Sequence, residues 1–367
     1  MNALKNALLF EAETKTFVRG GLVWENGVIL SHEELPEAED AEGGLIAPGL
    51  IDLHTHGRAG YDFLTADRAG LERMRGAYLR TGVTTVIPTL ASGTLSQWLD
   101  AAGRIRDAGF RGIHFEGRYL SPAKRGAHAR ELLALPDPKE LPLLRAACGE
   151  MRAHITLAPE LAGGEAFIAE ALSLDFTVGI GHTSATFEEA NAAIARGAVR
   201  FAHTFNAMSP LHHRDPGAVG AAMLSDADAE LICDGFHLHP GAVRILARMK
   251  GTERLLLITD SMEGTGCPDG EYSIAGLRVF LRDGKAVTEE GAIAGSTLDL
   301  LDGVRNFARF CSLPFSEALA CATVNPARAL GMEGKIGTLD AGAAADFLLL
   351  SPDHTLQRVY RNGTMTK

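Results

Sequence analysis

Between about Pro48 and Gly331, amphipathic stretches alternate with short runs that are apolar almost throughout. Asp67 to Arg80 precedes Val83-Thr84-Thr85-Val86-Ile87-Pro88, and Leu95 to Ala108 precedes Ile113-His114-Phe115-Glu116-Gly117. Apolar positions three and four apart predict helices, and continuous apolar runs bounded by turn residues predict buried strands. Further strands are expected at 155–160, 176–182, 199–203, 231–234 and 255–260, and with the opening run at 48–57 they number eight. Helix and strand in alternation, with strands apolar on both faces, call for a parallel sheet. Eight such units close into a (β/α)8 TIM-like barrel, so the fold class is α/β. An open doubly wound sheet would want a glycine-rich phosphate turn after its first strand, and the sequence has none there.

The two ends of the chain follow a different period. Phe17 to Trp24 and Val28 to Leu30 flank Glu25-Asn26-Gly27, a type I′ hairpin signal. Near the other end, Lys335 to Leu339, Asp346 to Leu350 and Arg358 to Gly363 read as short strands separated by turn residues. So few strands cannot bury two faces alone, which predicts one small β-sandwich domain built from both termini, 1–47 plus 332–367. The barrel domain then covers 48–331. A β-hairpin insertion at about 264–293 interrupts it, and the last barrel helix is expected to run through Pro314 to Leu330.

The opening strand, Pro48-Gly49-Leu50-Ile51-Asp52-Leu53-His54-Thr55-His56-Gly57, ends in two histidines one residue apart. Residues i and i+2 of a strand point to the same side, so both imidazoles can converge on one point. A lone His-x-His is as a rule a polar strand end, and a lone barrel histidine a hydrogen-bonded core residue. Here Glu116, His182, His203 and Asp260 also fall at the ends of barrel strands, where barrel enzymes carry their chemistry. Imidazoles with a glutamate suit zinc or another borderline divalent ion with an open position for water. Asp260, in Ile258-Thr259-Asp260-Ser261-Met262, is then the candidate proton carrier, its alternatives being a further metal ligand or a helix cap.

Composition narrows the partners. With 367 residues, 46% of them hydrophobic, the chain can bury a large core, and no apolar run approaches the ~20 residues needed to span a bilayer. A net charge of −11 without a long basic stripe argues against nucleic acid, and nothing points to a membrane. Five scattered cysteines without Cys-x-x-Cys spacing, and an N-terminus without a signal-peptide pattern, make the cytoplasm the expected location. An anionic substrate would need local cations, and His212-His213-Arg214 supplies a cluster of them, or else a solvated loop.

The first-strand motif resembles that of the amidohydrolase superfamily. More narrowly, the chain is similar from end to end to the N-acetylglucosamine-6-phosphate deacetylases. The resemblance is carried by His114-Phe115-Glu116-Gly117, Lys124-Arg125-Gly126-Ala127-His128, Gly181-His182-Thr183-Ser184-Ala185-Thr186, His203-Thr204-Phe205-Asn206-Ala207-Met208, Asp234-Gly235-Phe236-His237 and Ala294-Gly295-Ser296-Thr297-Leu298. It implies that Glu116, His182 and His203 hold a principal divalent metal, most simply zinc, with iron or another ion as options. His54 and His56 would hold a second ion, and Asp260 would be the catalytic acid and base. His128 would contact the acetamide carbonyl or a neighbouring hydroxyl and help the oxyanion. Asn206, Ala207, Arg214 and His237 would surround the phosphate, with His237 reaching across from the neighbouring subunit of a homodimer. Ile293, Ala294, Gly295 and Ser296 would line the sugar pocket.

The expected substrate is thus a small amino sugar phosphate, N-acetyl-D-glucosamine 6-phosphate, cleaved to glucosamine 6-phosphate and acetate. Competing readings are the galactosamine epimer, a cyclic-amide hydrolase and a catalytically dead scaffold. Two departures stand out: Gly117 is followed by Arg118-Tyr119 where the family has Pro-Phe, and Asp215 replaces the more usual Glu.

Overall fold

The computed structural model describes residues 1–366. Eight strands lie side by side in chain order: Leu50–Thr55, Val83–Leu90, Gly112–Phe115, Arg152–Leu157, Phe176–Ile180, Ala198–Phe201, Asp228–Ile232 and Leu255–Ile258. They form the parallel sheet expected for a barrel. The eighth strand meets the first through single backbone bonds, Asp260 N–H to the His54 carbonyl (2.9 Å) and His56 N–H to that of Ser261 (2.8 Å). Because every strand runs the same way, all their C-terminal ends open on one mouth.

Helices follow the strands where the pattern places them. Leu95–Asp107 buries Trp98, Ala101, Ala102 and Ile105, the three-and-four spacing of one face, and Thr94 with Gln97 closes its N-terminus in a reciprocal capping box. Thr186 and Glu189 cap Phe187–Ala195 in the same way. The last long helix differs from expectation: it is Leu300–Cys311, burying Leu300, Leu301, Val304, Phe307 and Phe310. Ser312 turns left-handed at its end, and Pro314, which lacks an N–H, opens a new short helix, Phe315–Ala320, followed by Val324–Ala329. Lys335 to Leu339 is turn rather than strand.

Both termini build one further sheet. In the order Thr364–Met365, Leu356–Arg361, Phe347–Leu350, Leu45–Pro48, Asn2–Glu11, Thr16–Glu25 and Val28–Ser31, with Glu39–Asp40 beside Asn2–Glu11, it comprises eight strands. Asn26 and Gly27 both have positive φ, the type I′ geometry that the Asn-Gly pair predicts. Phe347 and Trp24 lie three strand spacings apart, about 14 Å in a flat sheet. Their rings are nevertheless 4.9 Å apart, and Trp24 also meets Tyr360 at 5.5 Å, so the sheet folds over on itself in the manner of a sandwich. The insertion is a three-stranded antiparallel sheet, Gly270–Ile274, Leu277–Arg282 and Lys285–Thr288.

The chain divides into two compact units, Met1–Asp52 with Gly76–Thr85 and Asp299–Lys367, and Leu53–Arg75 with Val86–Leu298. Among the described residues, no helix is long and apolar enough to cross a membrane. Trp24 is buried, its rings engage both aromatic partners, and its indole N–H donates to the Gly363 carbonyl (2.9 Å). Trp24→Ala should therefore lower stability by about 3–5 kcal/mol, read from urea denaturation monitored by circular dichroism. A change under ~1 kcal/mol would show that this face is not packed as described.

Candidate active site and metal centre

Glu116 follows the third strand and is buried at the barrel mouth. Its Oε1 lies 3.0 Å from His203 Nε2 and 3.6 Å from His182 Nε2. Its Oε2 lies 3.0 Å from His54 Nε2 and 3.2 Å from His56 Nε2. One carboxylate thus meets four imidazoles, two on each oxygen. Asp260 stands beside them, Oδ1 being 3.2 Å from His56 Nε2 and 3.7 Å from His54 Nε2. All six side chains belong to the second compact unit.

Backbone conformation aims these groups. His182, His203 and Asp260 each follow a barrel strand with φ of 46°, 26° and 51°, left-handed values that residues other than glycine adopt at a cost of about 1–3 kcal/mol. Leaving the strand this abruptly sets the following chain back and the side chain at the mouth. Asp260 is held on both sides, its N–H donating to the His54 carbonyl and its own carbonyl accepting from Ser296 N–H (2.7 Å). Gly295 makes that approach possible, since a Cβ there would sit 2.9 Å from the Asp260 carbonyl oxygen.

The donor set fits a metal. In a tetrahedral zinc site with bonds of 2.0–2.1 Å, ligand atoms lie roughly 3.4 Å apart. Glu116 Oε1, His182 Nε2 and His203 Nε2 are spaced 3.0, 3.1 and 3.6 Å. His182 Nδ1 contacts the Lys124 carbonyl at 2.8 Å, and a carbonyl only accepts, so the proton is on Nδ1 and Nε2 keeps a lone pair. Nε2 of His203 lies 3.1 Å from that lone pair and 3.0 Å from Glu116 Oε1, a space filled either by its own proton or by a metal ion. His54, His56 and Glu116 bring their ligand atoms within 4.8 Å of one another around the other oxygen.

A model of the amidohydrolase family matches residues 45–366. The chain belongs to the amidohydrolase family. It is 32% identical to the N-acetylglucosamine-6-phosphate deacetylase of Vibrio furnissii, over 93% of this chain and 89% of that protein. It is 34% identical to the N-acetylgalactosamine-6-phosphate deacetylase of Escherichia coli O157:H7, over 93% of each. Among solved structures it superposes with a TM-score of 0.94 on N-acetyl-D-glucosamine-6-phosphate deacetylase from Mycobacterium smegmatis, an aspartate-to-alanine mutant in complex with N-acetyl-D-glucosamine-6-phosphate. That pair shares 32% identity over 100% of this chain and 99% of the other.

The remaining expected residues of this amidohydrolase divide into those at the cavity and those away from it. A cavity of about 170 Å³ is lined by His56, Glu116, His182, His203 and Asp260, and also by His128, Asn206, Ala207, His237, Ile293 and Gly295. Ala294 and Ser296 are buried beside Gly295, with the Ser296 hydroxyl on the Thr259 carbonyl. His237 lines the cavity of its own chain, whereas the resemblance had placed it in the neighbour's site; Asp234 Oδ2 accepts from its Nδ1 at 2.6 Å. Arg214 does not line the cavity: it is exposed, with Nη1 2.9 Å from His213 Nε2. Arg118 also points elsewhere, pairing with Glu140 at 3.0 Å and donating to the Gly93 carbonyl at 3.2 Å. A larger groove of about 360 Å³ is lined by Arg125, Arg130 and Arg278 together with Glu131, Glu289 and Glu290.

Two groups at the site were not anticipated. Ser92 donates its one proton to the Gly117 carbonyl (2.7 Å), so at 2.8 Å it accepts from His128 Nδ1, leaving the other ring nitrogen bare. Glu230, inside the seventh strand, lies 2.8 Å from His54 Nδ1. A Ser-Gly pair after a strand and a carboxylate within one are the only sequence traces of these roles.

Electrostatics favour added positive charge in this amidohydrolase. Burial works against an imidazolium at His56, but the Asp260 and Glu116 carboxylates outweigh it and raise the group to about 9. Burial likewise opposes charge on His54, and Glu116 with Glu230 overcomes it. At His182, burial prevails and lowers the group to about 4, consistent with a free lone pair. Exchanging the protons of His54 and His56 for one dication conserves the buried charge. Metal uptake should therefore expel protons, and affinity should rise with pH up to about 9, the range over which His56 otherwise holds its proton. Calorimetry at pH 7 in buffers of different ionisation enthalpy should show at least one proton released per ion bound at the His54 and His56 position. Buffer-independent heats there would contradict it.

Proposed function

We propose that this amidohydrolase deacetylates N-acetyl-D-glucosamine 6-phosphate, producing D-glucosamine 6-phosphate and acetate. The observation that carries the proposal is the Asp260 carboxylate beside a glutamate that gathers four imidazoles, in a chain similar along its length to deacetylases of amino sugar phosphates. Glu116, His182 and His203 would hold one divalent ion, most simply zinc, and His54 and His56 with the other Glu116 oxygen a second. Bound there, the metal supplies Lewis acidity toward the acetamide carbonyl and lowers the pKa of a water toward about 7.

The chain's own residues do the rest. Asp260 is held ionised, because the hydrogen bond from His56 and the charge of His54 outweigh its burial, so it is ready to accept a proton. It takes that proton at Oδ1 from the water that attacks the acetamide carbon. It then delivers the proton to the sugar nitrogen as the C–N bond breaks, and acetate leaves with the new oxygen. His128 offers its bare ring nitrogen to a sugar hydroxyl; turning the Ser92 hydroxyl onto Nδ1 would favour the tautomer that donates to the acetamide oxygen. Asn206, Ala207 and His237 border the phosphate end, and Ile293 with Gly295 the sugar. Arg214 would meet the phosphate from its exposed loop.

A phosphorylated sugar is an anion that does not cross a bilayer unaided, so this reading places the enzyme in the cytoplasm. Exposed Leu211 and Phe236, close in sequence to Arg214 and His237, support a homodimer. The galactosamine epimer is the second reading, favoured by the Escherichia coli relative. Acetate release from both epimers, with and without zinc, separates them; faster turnover of the galactosamine compound would reverse the assignment.

Asp260→Asn should retain metal content while kcat falls by ~10²-fold or more. Near-normal turnover would remove Asp260 from the proton path. Arg214→Ala should chiefly raise KM for the phosphorylated sugar, and an equal loss on the unphosphorylated sugar would refute a phosphate contact.

A further inference from the structure

Glu230 is fully buried within the strand Asp228–Ile232 and takes no part in the reaction as proposed. Its Oε2 lies 2.8 Å from His54 Nδ1 and accepts from the backbone N–H of His203 at 3.3 Å. Its Oε1 accepts from Arg200 Nη1 at 3.3 Å, and Arg200 is itself buried. The Glu230 carbonyl accepts from Thr204 N–H at 2.9 Å. One residue is therefore tied to a histidine on each side of Glu116.

An ionised carboxylate only accepts, so the His54 proton nearest Glu230 resides on Nδ1. Nε2 of a neutral His54 is then a bare lone pair, yet it faces Glu116 Oε2 at 3.0 Å. Two acceptors at that distance repel unless a cation lies between them: a second proton on the ring, or a metal ion. A carboxylate behind a ligating imidazole fixes its orientation and raises its basicity toward the metal. Arg200, 3.3 Å from Oε1, adds a permanent positive charge to the one that His54 offers, so Glu230 is met by a cation on each oxygen.

We propose that Glu230, buttressed by Arg200, is the positioning residue that creates the second metal position, holding His54 with Nε2 turned to Glu116. The inference rests on the reading that the cluster binds divalent metal. Among the described residues, the one hydrogen bond from the principal trio to Glu230 comes from the His203 backbone N–H, whereas Glu230 holds the His54 ring directly, so its loss should weaken the second ion far more than the first.

The test titrates metal-free wild-type protein, Glu230→Gln and Glu230→Asp with zinc, using calorimetry and metal analysis, and records the absorption spectra of the cobalt forms. Wild type should take up two ions. Glu230→Gln should keep the affinity of the first within about twofold and weaken the second by ~10- to 100-fold, the usual effect of removing such a partner. The second cobalt ion's absorption bands should be lost with it, while the first ion's bands persist; melting of the metal-free variant should fall, because Arg200 loses its buried counter-charge. Should Glu230→Gln fail to fold, Glu230→Asp, which keeps the charge and shortens the reach, should show the same selective loss in smaller degree. Wild-type affinity for both ions in the variants, or equal weakening of both, would overturn the proposal. A single ion in saturated wild type would overturn it too, while leaving the deacetylase reading intact; no ion at all would sink that reading as well.

Discussion

The structure depends on one buried carboxylate. Glu116 is almost inaccessible, and taking an ionised carboxylate out of water costs several kcal/mol unless positive charge meets it. Here that charge comes from imidazoles delivered by the first, fifth and sixth barrel strands, because among the described residues no lysine or arginine is paired with either oxygen. Burial pushes the Glu116 carboxyl up, but His54 and His203 hold it well below the usual carboxylate range. The group is thus an anion that its histidines, or the ion those histidines hold, must neutralise. Strand order, register and closure of the barrel all serve to bring those rings to one point.

Closing a parallel barrel leaves every strand end on the same rim, but a strand end alone does not turn a side chain inward. The left-handed backbone of His182, His203 and Asp260 does that, and the energy it costs is recovered from bonds that a relaxed chain could not make. Ser121 N–H, for example, donates to the His182 carbonyl, and Thr183 and Ser184 both bond to the Glu160 carboxylate. The loop after the fourth strand thereby steadies the turn after the fifth.

Much of this was legible in the sequence for a physical reason: the periods of strand and helix, and the clustering of histidine and acid at strand ends, are local features. The His54 and His56 pair needs only the two-residue repeat; the capping boxes at Thr94 and Thr186, four residues each, are as local, though they were not read from the sequence. Glu230 and Arg200 were not read, because each lies in a strand that otherwise looks apolar and each is made tolerable by the other, 30 residues away. Arg118 shows the same limit in reverse. Two residues after Glu116 in sequence, it points along another direction, to Glu140, because the strand has ended at Phe115 and the positive φ of Gly117 breaks the two-residue repeat. Arg214 and His237 likewise could not be assigned to an inner or outer surface by pattern alone.

The proton carrier and the charge it serves are kept apart by how each is held. Asp260 is fixed through its backbone, by the His54 carbonyl on one side and Ser296 N–H on the other, over a Gly295 that leaves no Cβ in the way. On its carboxylate the histidine contacts fall on Oδ1, 3.2 Å from His56 and 3.7 Å from His54. Glu116 is the opposite case: both its oxygens are committed to histidines, so it cannot accept a proton without breaking the cluster. Of the two carboxylates at the mouth, Asp260 is the one fixed through its main chain rather than through histidines on both oxygens, and that asymmetry favours it for the proposed role of acid and base, with Glu116 as the proposed anchor.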